Sequence, residues 1–320
     1  MPSYEIGSLI KKLRKQKGIS QEDLAYPIID RTTLSKIESG KVVPHRRTLE
    51  YLFERLGFES NEFIKHFMVP DDLETQLVID ELNQTLSYVV RANPPEEKKI
   101  FCDKVTGLIQ QLESKTDYTA HPLNMQFILD FKARLAYNMG EDDKAIALAI
   151  EALKITVPNF NENNIADYYF NMNDRNMIKL LALIYNETKQ YDRAIDISYR
   201  LKENIDKIYP ELVVHARRVT PLIVNLALTL IKADRHQEAY DLCEEGIQIC
   251  IKSGEHKFYK GIVWYQAHAM LKLGKTEEGI ELARKLYYAF DLYRVEFDKN
   301  FVRNTVLAET GVDVAGHAGA

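Results

Sequence analysis

Pairs of small residues twelve positions apart recur along the C-terminal two thirds of the chain. The pairs are Ala133 with Ala145, Ala182 with Ala194, Ala227 with Ala239, and Ala267 with Gly279. Each pair lies in an apolar helical pattern that is followed by a polar turn and a second amphipathic pattern, as in FKARLAYNMGEDDKAIALAIEAL. Small side chains are needed where two antiparallel helices approach closely. The spacing therefore predicts an all-α fold built from stacked helical hairpins.

These hairpins resemble the tetratricopeptide repeat, a helix-turn-helix unit of about 34 residues with small residues at these two positions. Successive pairs are 49, 45 and 40 positions apart, so the repeats are degenerate and are expected to have long connections, such as PNFNENNIADYYFNMND and KIYPELVVHARRV. The resemblance implies an α-solenoid over 123–310. The C-terminal stretch GVDVAGHAGA, residues 311–320, is expected to be a frayed tail. Stacked repeats of this kind form a concave groove lined by the first helix of each pair.

Several residues of the first helices are expected to face this groove, from their register relative to the first small residue. Side-chain amides there can satisfy the backbone of an extended peptide, and aromatic rings can fill its pockets. The alternative is that these side chains pack within the fold or are solvated. The predicted peptide-binding residues are Phe127, Asp130, Arg134, Tyr137, Asn138, Asn176, Lys179, Leu183, Asn186, Asn225, Leu228, Trp264, Tyr265 and His268.

The N-terminal segment differs from the rest of the chain in charge. Residues 1–66 contain 12 Lys and Arg against 9 Asp and Glu, a balance of +3, whereas the remaining residues contain 30 against 38, a balance of −8. The two balances add to the total of −5. A basic segment joined to an acidic one predicts a nucleic-acid reader attached to a domain with a different partner.

Short helices are predicted throughout the basic segment. The first ends at Gly18, the second and third follow the N-caps Ser20 and Asp30, the third ends at Gly40, and two more cover 47–56 and 61–67. A polar oxygen at the N-cap and a glycine after the last turn are typical of helix ends. The second and third helices are joined by a tight turn, which is the arrangement of a helix-turn-helix domain.

The stretches IKKLRKQKGISQEDLA, LSKIESGKVVP and LEYLFERLG resemble the XRE (phage-repressor-like, or lambda-repressor-like) family of helix-turn-helix domains. The turn departs from that family, because YPIID stands where a small, glycine-containing link is usual. The resemblance implies a DNA-binding domain over 1–68, with its third helix in the major groove of double-stranded DNA.

Individual roles follow from the same resemblance. Arg31, Thr32, Thr33 and Lys36 are the expected base-reading residues, and Arg31 could read a guanine through two hydrogen bonds. The expected phosphate contacts, which position without specifying, are Gln21, Ser35, Lys41, Arg46 and Arg47. Arg14 and Glu38 match an ion pair between the first and third helices. The alternative for each is a charge or hydroxyl on a solvated helix face.

Residues 69–122 are predicted to form a linker helical hairpin between the DNA-binding domain, called the head below, and the repeats, with a polar loop over SKTDYTAHP. This domain order resembles the RRNPP group of peptide-pheromone receptors, in its DNA-binding Rgg, PlcR and PrgX type. The resemblance implies a cytoplasmic quorum-sensing regulator that binds operator DNA as a homodimer and a short signalling peptide in its groove. The alternative is a repeat scaffold that binds a partner protein, such as a response regulator, and uses the head as a DNA anchor.

Other function classes are not supported by the sequence. It contains no GxxxxGK loop, no GxSxG elbow and no HExxH motif, so we expect neither an enzyme nor a bound metal or cofactor. No signal peptide or membrane span is predicted. Cys102, Cys243 and Cys250 have no CxxC spacing and are expected to be buried free thiols.

Overall fold

Every regular element in the described part of the chain is helical. The structure is a computed structural model that describes residues 3–58, 73–91, 95–292 and 295–316. Its α-helices are α1 Ser3–Gln16, α2 Gln21–Ala25, α3 Arg31–Glu38, α4 Arg46–Arg55, α5 Leu73–Arg91, α6 Pro95–Glu113, α7 Thr116–Thr119, α8 Pro122–Asn138, α9 Asp142–Thr156, α10 Met172–Glu187, α11 Tyr191–Ile208, α12 Leu212–Lys232, α13 His236–Ser253, α14 Tyr259–Lys272, α15 Thr276–Leu292 and α16 Glu296–Thr310. A 3₁₀ helix covers Glu162–Asp167. The predicted all-α class is confirmed.

The chain divides into two units, residues 1–184 and 185–320, with the boundary inside α10. The first unit contains the head, the linker helices and the first repeat, and the second contains the later repeats. Each unit has its own buried core, so each is described separately below.

The head consists of α1 to α4 around an apolar core. Its N-caps are as predicted: Ser20 accepts a hydrogen bond from the backbone of Asp23 at 3.0 Å, and Asp30 accepts one from the backbone of Thr33 at 2.6 Å. Gly40, with φ of 73°, follows the end of α3. The core is made by Ile10, Leu24, Leu34, Ile37, Leu49, Leu52 and Leu56. The predicted fifth helix over 61–67 lies outside the described residues.

Gly7 marks a close approach between α1 and α3. A Cβ atom added at Gly7 would lie 2.0 Å from the carbonyl oxygen of Ile37. Since no carbon atom can occupy that position, the two helices can pack at this distance only with glycine. Nothing in the spacing of the sequence pointed to this requirement.

The linker helices α5 and α6 pack against each other and against α8. Their shared core contains Leu82, Val105 and Leu112, together with Phe127 and Phe131 from α8. The stretch SKTDYTAHP was expected to be a loop, but it contains the short helix α7. The loop prediction is therefore wrong for this part of the connection.

The small-residue pairs are buried at helix contacts. Ala133 and Ala145 are fully buried where α8 packs against α9. Gly279 meets the same requirement in α15, because an added Cβ would lie 3.1 Å from the carbonyl oxygen of Ala267 in α14. The predicted tetratricopeptide-like fold is confirmed by these hairpins.

Two segments of the second unit differ from the predictions. Helix α12 begins at Leu212, inside a stretch expected to be a connection. The tail over 311–320 was expected to be frayed, but Val314 is fully buried and Asp313 accepts two hydrogen bonds from Arg303. The prediction of a frayed tail is wrong for residues 311–316, because the side chain of Val314 is buried there and Asp313 pairs with Arg303.

Among the described helices, α12 is long and apolar enough to cross a membrane by length and composition alone. However, 56% of its apolar window is buried within the protein. Such burial is typical of a core helix. The predicted state of the cysteines is confirmed, since all three are free and buried.

Candidate functional site

Helix α3 presents a polar edge to solvent. Arg31, Thr32 and Lys36 are exposed and Thr33 is half-buried, whereas Leu34 faces the core. The backbone N–H of Thr33 holds the pKa of the capping Asp30 carboxyl below its usual range. The predicted base-reading residues therefore lie together on one accessible surface.

A buried ion pair joins α1 to α3 behind this edge. Arg14 donates from Nε and a terminal nitrogen to the two carboxylate oxygens of Glu38, at 2.6 and 3.0 Å. Arg14 also donates to the carbonyl of Ile19 at 3.0 Å. Gln21 donates its side-chain amide to the same Glu38 at 2.8 Å. Gln21, expected at a phosphate, thus completes an internal network, because its amide reaches the buried carboxylate.

The expected phosphate contacts fall into two groups. Ser35 and Lys41 are exposed near the end of α3. Arg46 instead donates to Glu50 at 3.0 Å, and Arg47 lies 3.7 Å from the same carboxylate with its guanidinium 4.6 Å from the ring centre of Phe127. Both arginines line a cavity that is partly open to solvent. Their placement differs from the prediction because α4 packs against the first repeat.

Two stacked histidines lie at the contact between α4 and α8. His45 accepts a hydrogen bond from the backbone of Arg47, and His121 accepts one from the backbone of Leu123, so each ring caps the N-terminus of its own helix. The ring centres are 4.7 Å apart. Nε2 of His121 lies 3.2 Å from the hydroxyl of Thr48. The head and the first repeat therefore meet end to end through their helix caps.

The last turn of α4 makes a second contact with the repeats. Glu54 accepts a hydrogen bond from the backbone N–H of Met172, at the start of α10. Arg55 donates to the carbonyl of Tyr169 at 3.1 Å and to the carbonyl of Tyr26 at 2.6 Å. Because Tyr26 precedes α3 in the helix-turn-helix turn, Arg55 connects that turn to the segment that enters the second repeat.

A cavity of about 990 Å³ lies between α4, α5, α7, α8 and α10 of the first unit. This volume is within the range of small-molecule and peptide pockets. Its lining is rich in side-chain amides and in charges of both signs. The lining residues that were also predicted for the peptide groove are Phe127, Asp130, Arg134 and Asn176.

A buried network lies beside this cavity. Asp174, which is fully buried, accepts hydrogen bonds from Gln126 at 2.6 Å, from the backbone of Asn171 at 2.8 Å and from the hydroxyl of Thr156. Asn171 in turn accepts from the backbone of Asp174 and donates to Gln126. Burial raises the pKa of Asp174 to about 6, although the hydrogen bonds from these partners lower it.

The raised pKa of Asp174 predicts a pH-dependent stability. The unfolded chain releases this proton near the ordinary value of about 4, whereas the folded chain keeps it to about 6. The contribution of Asp174 to the stability of the fold is therefore fully present below about pH 4 and is lost as the pH rises through 6. We expect the melting temperature of the wild type, relative to Asp174→Asn, to fall between pH 4 and 7. A difference that stays constant over that range would contradict the assignment.

The remaining predicted groove residues lie outside this cavity. Trp264, which is 5% exposed, packs against His268 and against Phe301 of α16. His268 also lies 2.9 Å from Glu309 of α16. These contacts with α16 favour the alternative of packing within the fold for both residues, and their place in a peptide groove stays a prediction. Asn186 is buried, Asn225 is exposed, and Tyr137, Asn138, Lys179, Leu183, Leu228 and Tyr265 are half-buried.

Comparisons with known proteins agree with this architecture. Residues 7–66 match the family described as a helix-turn-helix domain. Over 94% of this chain and 99% of the other, the fold is similar to that of Bacillus thuringiensis PlcR in complex with the peptide PapR7 and DNA, with a TM-score of 0.57 and 19% identity. The Streptococcus dysgalactiae SHP pheromone receptor Rgg2 has a TM-score of 0.51 at 14% identity, over 95% of this chain and 100% of the other.

The repeat part has a further structural relative. TPR-like repeats of a kinesin light chain from Podospora anserina match 70% of this chain and 99% of their own, with a TM-score of 0.51 and 17% identity. A search of the curated proteins found no match. The chain is thus a helix-turn-helix protein with a tetratricopeptide-like solenoid. Its fold is similar to those of PlcR and of the pheromone receptor Rgg2.

Proposed function

We propose that this protein is a cytoplasmic quorum-sensing transcription regulator that binds operator DNA as a homodimer and is switched by a short signalling peptide. One observation carries the proposal. The first unit contains both the exposed polar edge of α3, which is the proposed DNA-reading edge, and a cavity of about 990 Å³ that residues of α4 help to line. Structures of the same fold include PlcR with a peptide and DNA, and the pheromone receptor Rgg2. Catalysis has no part in this function.

The DNA contacts divide by their chemistry. Arg31, Thr32, Thr33 and Lys36 are the proposed base-reading residues, since they lie at the N-terminal part of a helix that fits the major groove. Ser35 and Lys41 are the proposed phosphate contacts. A dimer would place two such helices about 34 Å apart, one turn of DNA, so that both half-sites are used.

The proposed peptide site is the cavity of the first unit. Its polar lining includes Asn173 and Asn176 on one face of α10, and Phe127 supplies an aromatic wall. Side-chain amides bind an extended backbone because they both donate and accept hydrogen bonds. A peptide that binds two arrangements of the protein with different affinity shifts their populations, and so alters the affinity for DNA.

Arg31→Ala should relax the base preference at one operator position and cost about 1 to 3 kcal/mol of binding there. Lys41→Ala is the matched control, because loss of a phosphate contact should weaken all sequences alike and lower the salt dependence. Selection of bound sequences from a random DNA pool, followed by affinity measurement at two salt concentrations, separates the two effects. Equal, sequence-independent losses from both variants would contradict base reading by Arg31.

Candidate peptides are the C-terminal fragments of short secreted pro-peptides encoded beside the gene. Synthetic versions of these fragments are titrated against the full chain. Binding that alters the melting temperature supports the proposal. Absence of any peptide response, together with recovery of a specific protein partner in a pull-down, would instead favour the scaffold function.

A further inference from the structure

We propose that Arg47 of the DNA-binding head recognises a carboxylate of the peptide ligand, so that the ligand in the cavity touches the head directly. This inference rests on the proposed function. It reassigns an arginine expected at DNA phosphate to the ligand site of the same protein.

The position of Arg47 suits this role. It lies in the first turn of α4, lines the cavity, and its guanidinium is held 4.6 Å from the ring centre of Phe127. When the face of a guanidinium stacks on an aromatic ring, the N–H groups at its edge can still donate hydrogen bonds within the plane of the guanidinium. Its contact with Glu50 is 3.7 Å, which is too long for a hydrogen bond, and the hydroxyl of Tyr118 is a second polar neighbour. Arginine in this state can bind a carboxylate through two parallel hydrogen bonds.

Charge around α4 favours an anionic group. Glu50 lies within ion-pair distance of both Arg46 and Arg47, so one negative charge faces two positive ones. Lys115 also lines the cavity. The N-termini of α4 and α8 meet at the stacked histidine caps, and the positive ends of two helix dipoles add to the potential there. This end of the cavity therefore offers cationic groups to a ligand carboxylate, although Glu50 and Glu54 of α4 also line it.

The rest of the lining suits a peptide rather than a simple anion. Asp80 and Asp117 also line the cavity, and Asp130 is paired with Arg134. A peptide carries an ammonium and a carboxylate at opposite ends, together with donors and acceptors between them. A lining with charges of both signs can pair with both ends of such a molecule, and Arg47 is the proposed partner of its carboxylate.

Direct contact with the head provides a physical route for coupling. A ligand shifts an equilibrium only through different contacts in the two states. If the ligand carboxylate binds Arg47, the docking of α4 against α8 becomes part of the ligand site. The affinity of the ligand then differs between a docked head and a displaced head, and no further helix is needed to couple the two.

The test uses synthetic heptapeptide pools in two matched forms, one with free C-terminal carboxylates and one with C-terminal amides. Each form is divided into pools that contain Asp and Glu and pools in which Asn and Gln replace them. Stabilisation of the full chain is read as the rise in melting temperature, and dissociation constants are measured for the best peptides. Arg200→Gln is the control, since Arg200 lies on α11, pairs with Asp196 and does not line the cavity.

We expect carboxylate-bearing pools to stabilise the wild type and Arg200→Gln alike, and Arg47→Gln to weaken their binding about tenfold or more. Arg47→Lys should lie between, because it keeps the charge and loses the two-pronged contact. Loss of binding on amidation identifies a terminal carboxylate, and loss only in the Asn and Gln pools identifies a side-chain one. Equal binding by Arg47→Gln and the wild type would overturn the inference and leave the peptide response intact. If no pool stabilises the wild type, the proposed peptide response itself fails.

Discussion

Replacing Glu38 with alanine should destabilise the helix-turn-helix head by about 3 to 5 kcal/mol, the usual result of removing one partner of a buried ion pair. Glu38 is 4% exposed and accepts hydrogen bonds from Arg14 and Gln21. Without the carboxylate, the guanidinium of Arg14 stays buried with only the carbonyl of Ile19 as partner. The contact between α1 and α3 should therefore open.

Amide hydrogen exchange of the full chain measures this effect locally. Exchange in α1 and α3 should accelerate strongly in Glu38→Ala, while exchange in the second unit stays unchanged. Glu22→Ala is the matched control, because Glu22 is exposed on α2 and its loss should be within about 0.5 kcal/mol. Similar amide exchange in Glu38→Ala and Glu22→Ala would show that the ion pair of Arg14 and Glu38 contributes little to the stability of the head.

Gly7→Ala should have an effect of comparable size, at least about 3 kcal/mol, at the upper end of overpacking costs. The added methyl would lie 2.0 Å from the carbonyl oxygen of Ile37, which belongs to the backbone of α3 and cannot turn aside. Accommodation requires α1 to move away from α3, which would displace the reading edge. Affinity for DNA should fall together with stability.

A second glycine supplies the control for this substitution. Gly107 lies inside α6, and a Cβ added there would meet nothing within 4 Å. Gly107→Ala should therefore stabilise the chain by about 0.5 to 1 kcal/mol, from helix propensity alone. Urea unfolding of both variants compares the two glycines. A neutral Gly7→Ala would contradict the close helix packing.

Local chemistry allowed much of the fold to be predicted. Ser20, Asp30 and Gly40 mark helix ends because their side chains or backbone freedom serve positions next to them in sequence. The pairs such as Ala133 with Ala145 were visible because one helical hairpin imposes a fixed spacing. Helix α7 and the start of α12 were missed, since α7 has four residues and buries none of them, and Leu212 and Val213 at the start of α12 are exposed.

The candidate site was less predictable, because its walls come from distant parts of the chain. Arg47 and Phe127 are 80 positions apart in sequence, and no local pattern links a head helix to the first repeat. The groove register identified Phe127, Asp130, Arg134 and Asn176, but it could not foresee that α16 covers Trp264. The register predicts which side chains share one face of a helix. Whether that face binds a ligand or packs against another helix depends on the tertiary fold.

The central claim is that ligand binding and DNA binding are coupled in this chain. The most direct measurement is the affinity of the full-length protein for its selected operator, with and without a saturating amount of the cognate peptide. The account predicts a change of about 5- to 150-fold in the dissociation constant, with an equal reciprocal change in peptide affinity when DNA is present. Identical operator affinities under the two conditions, with the peptide demonstrably bound, would contradict it.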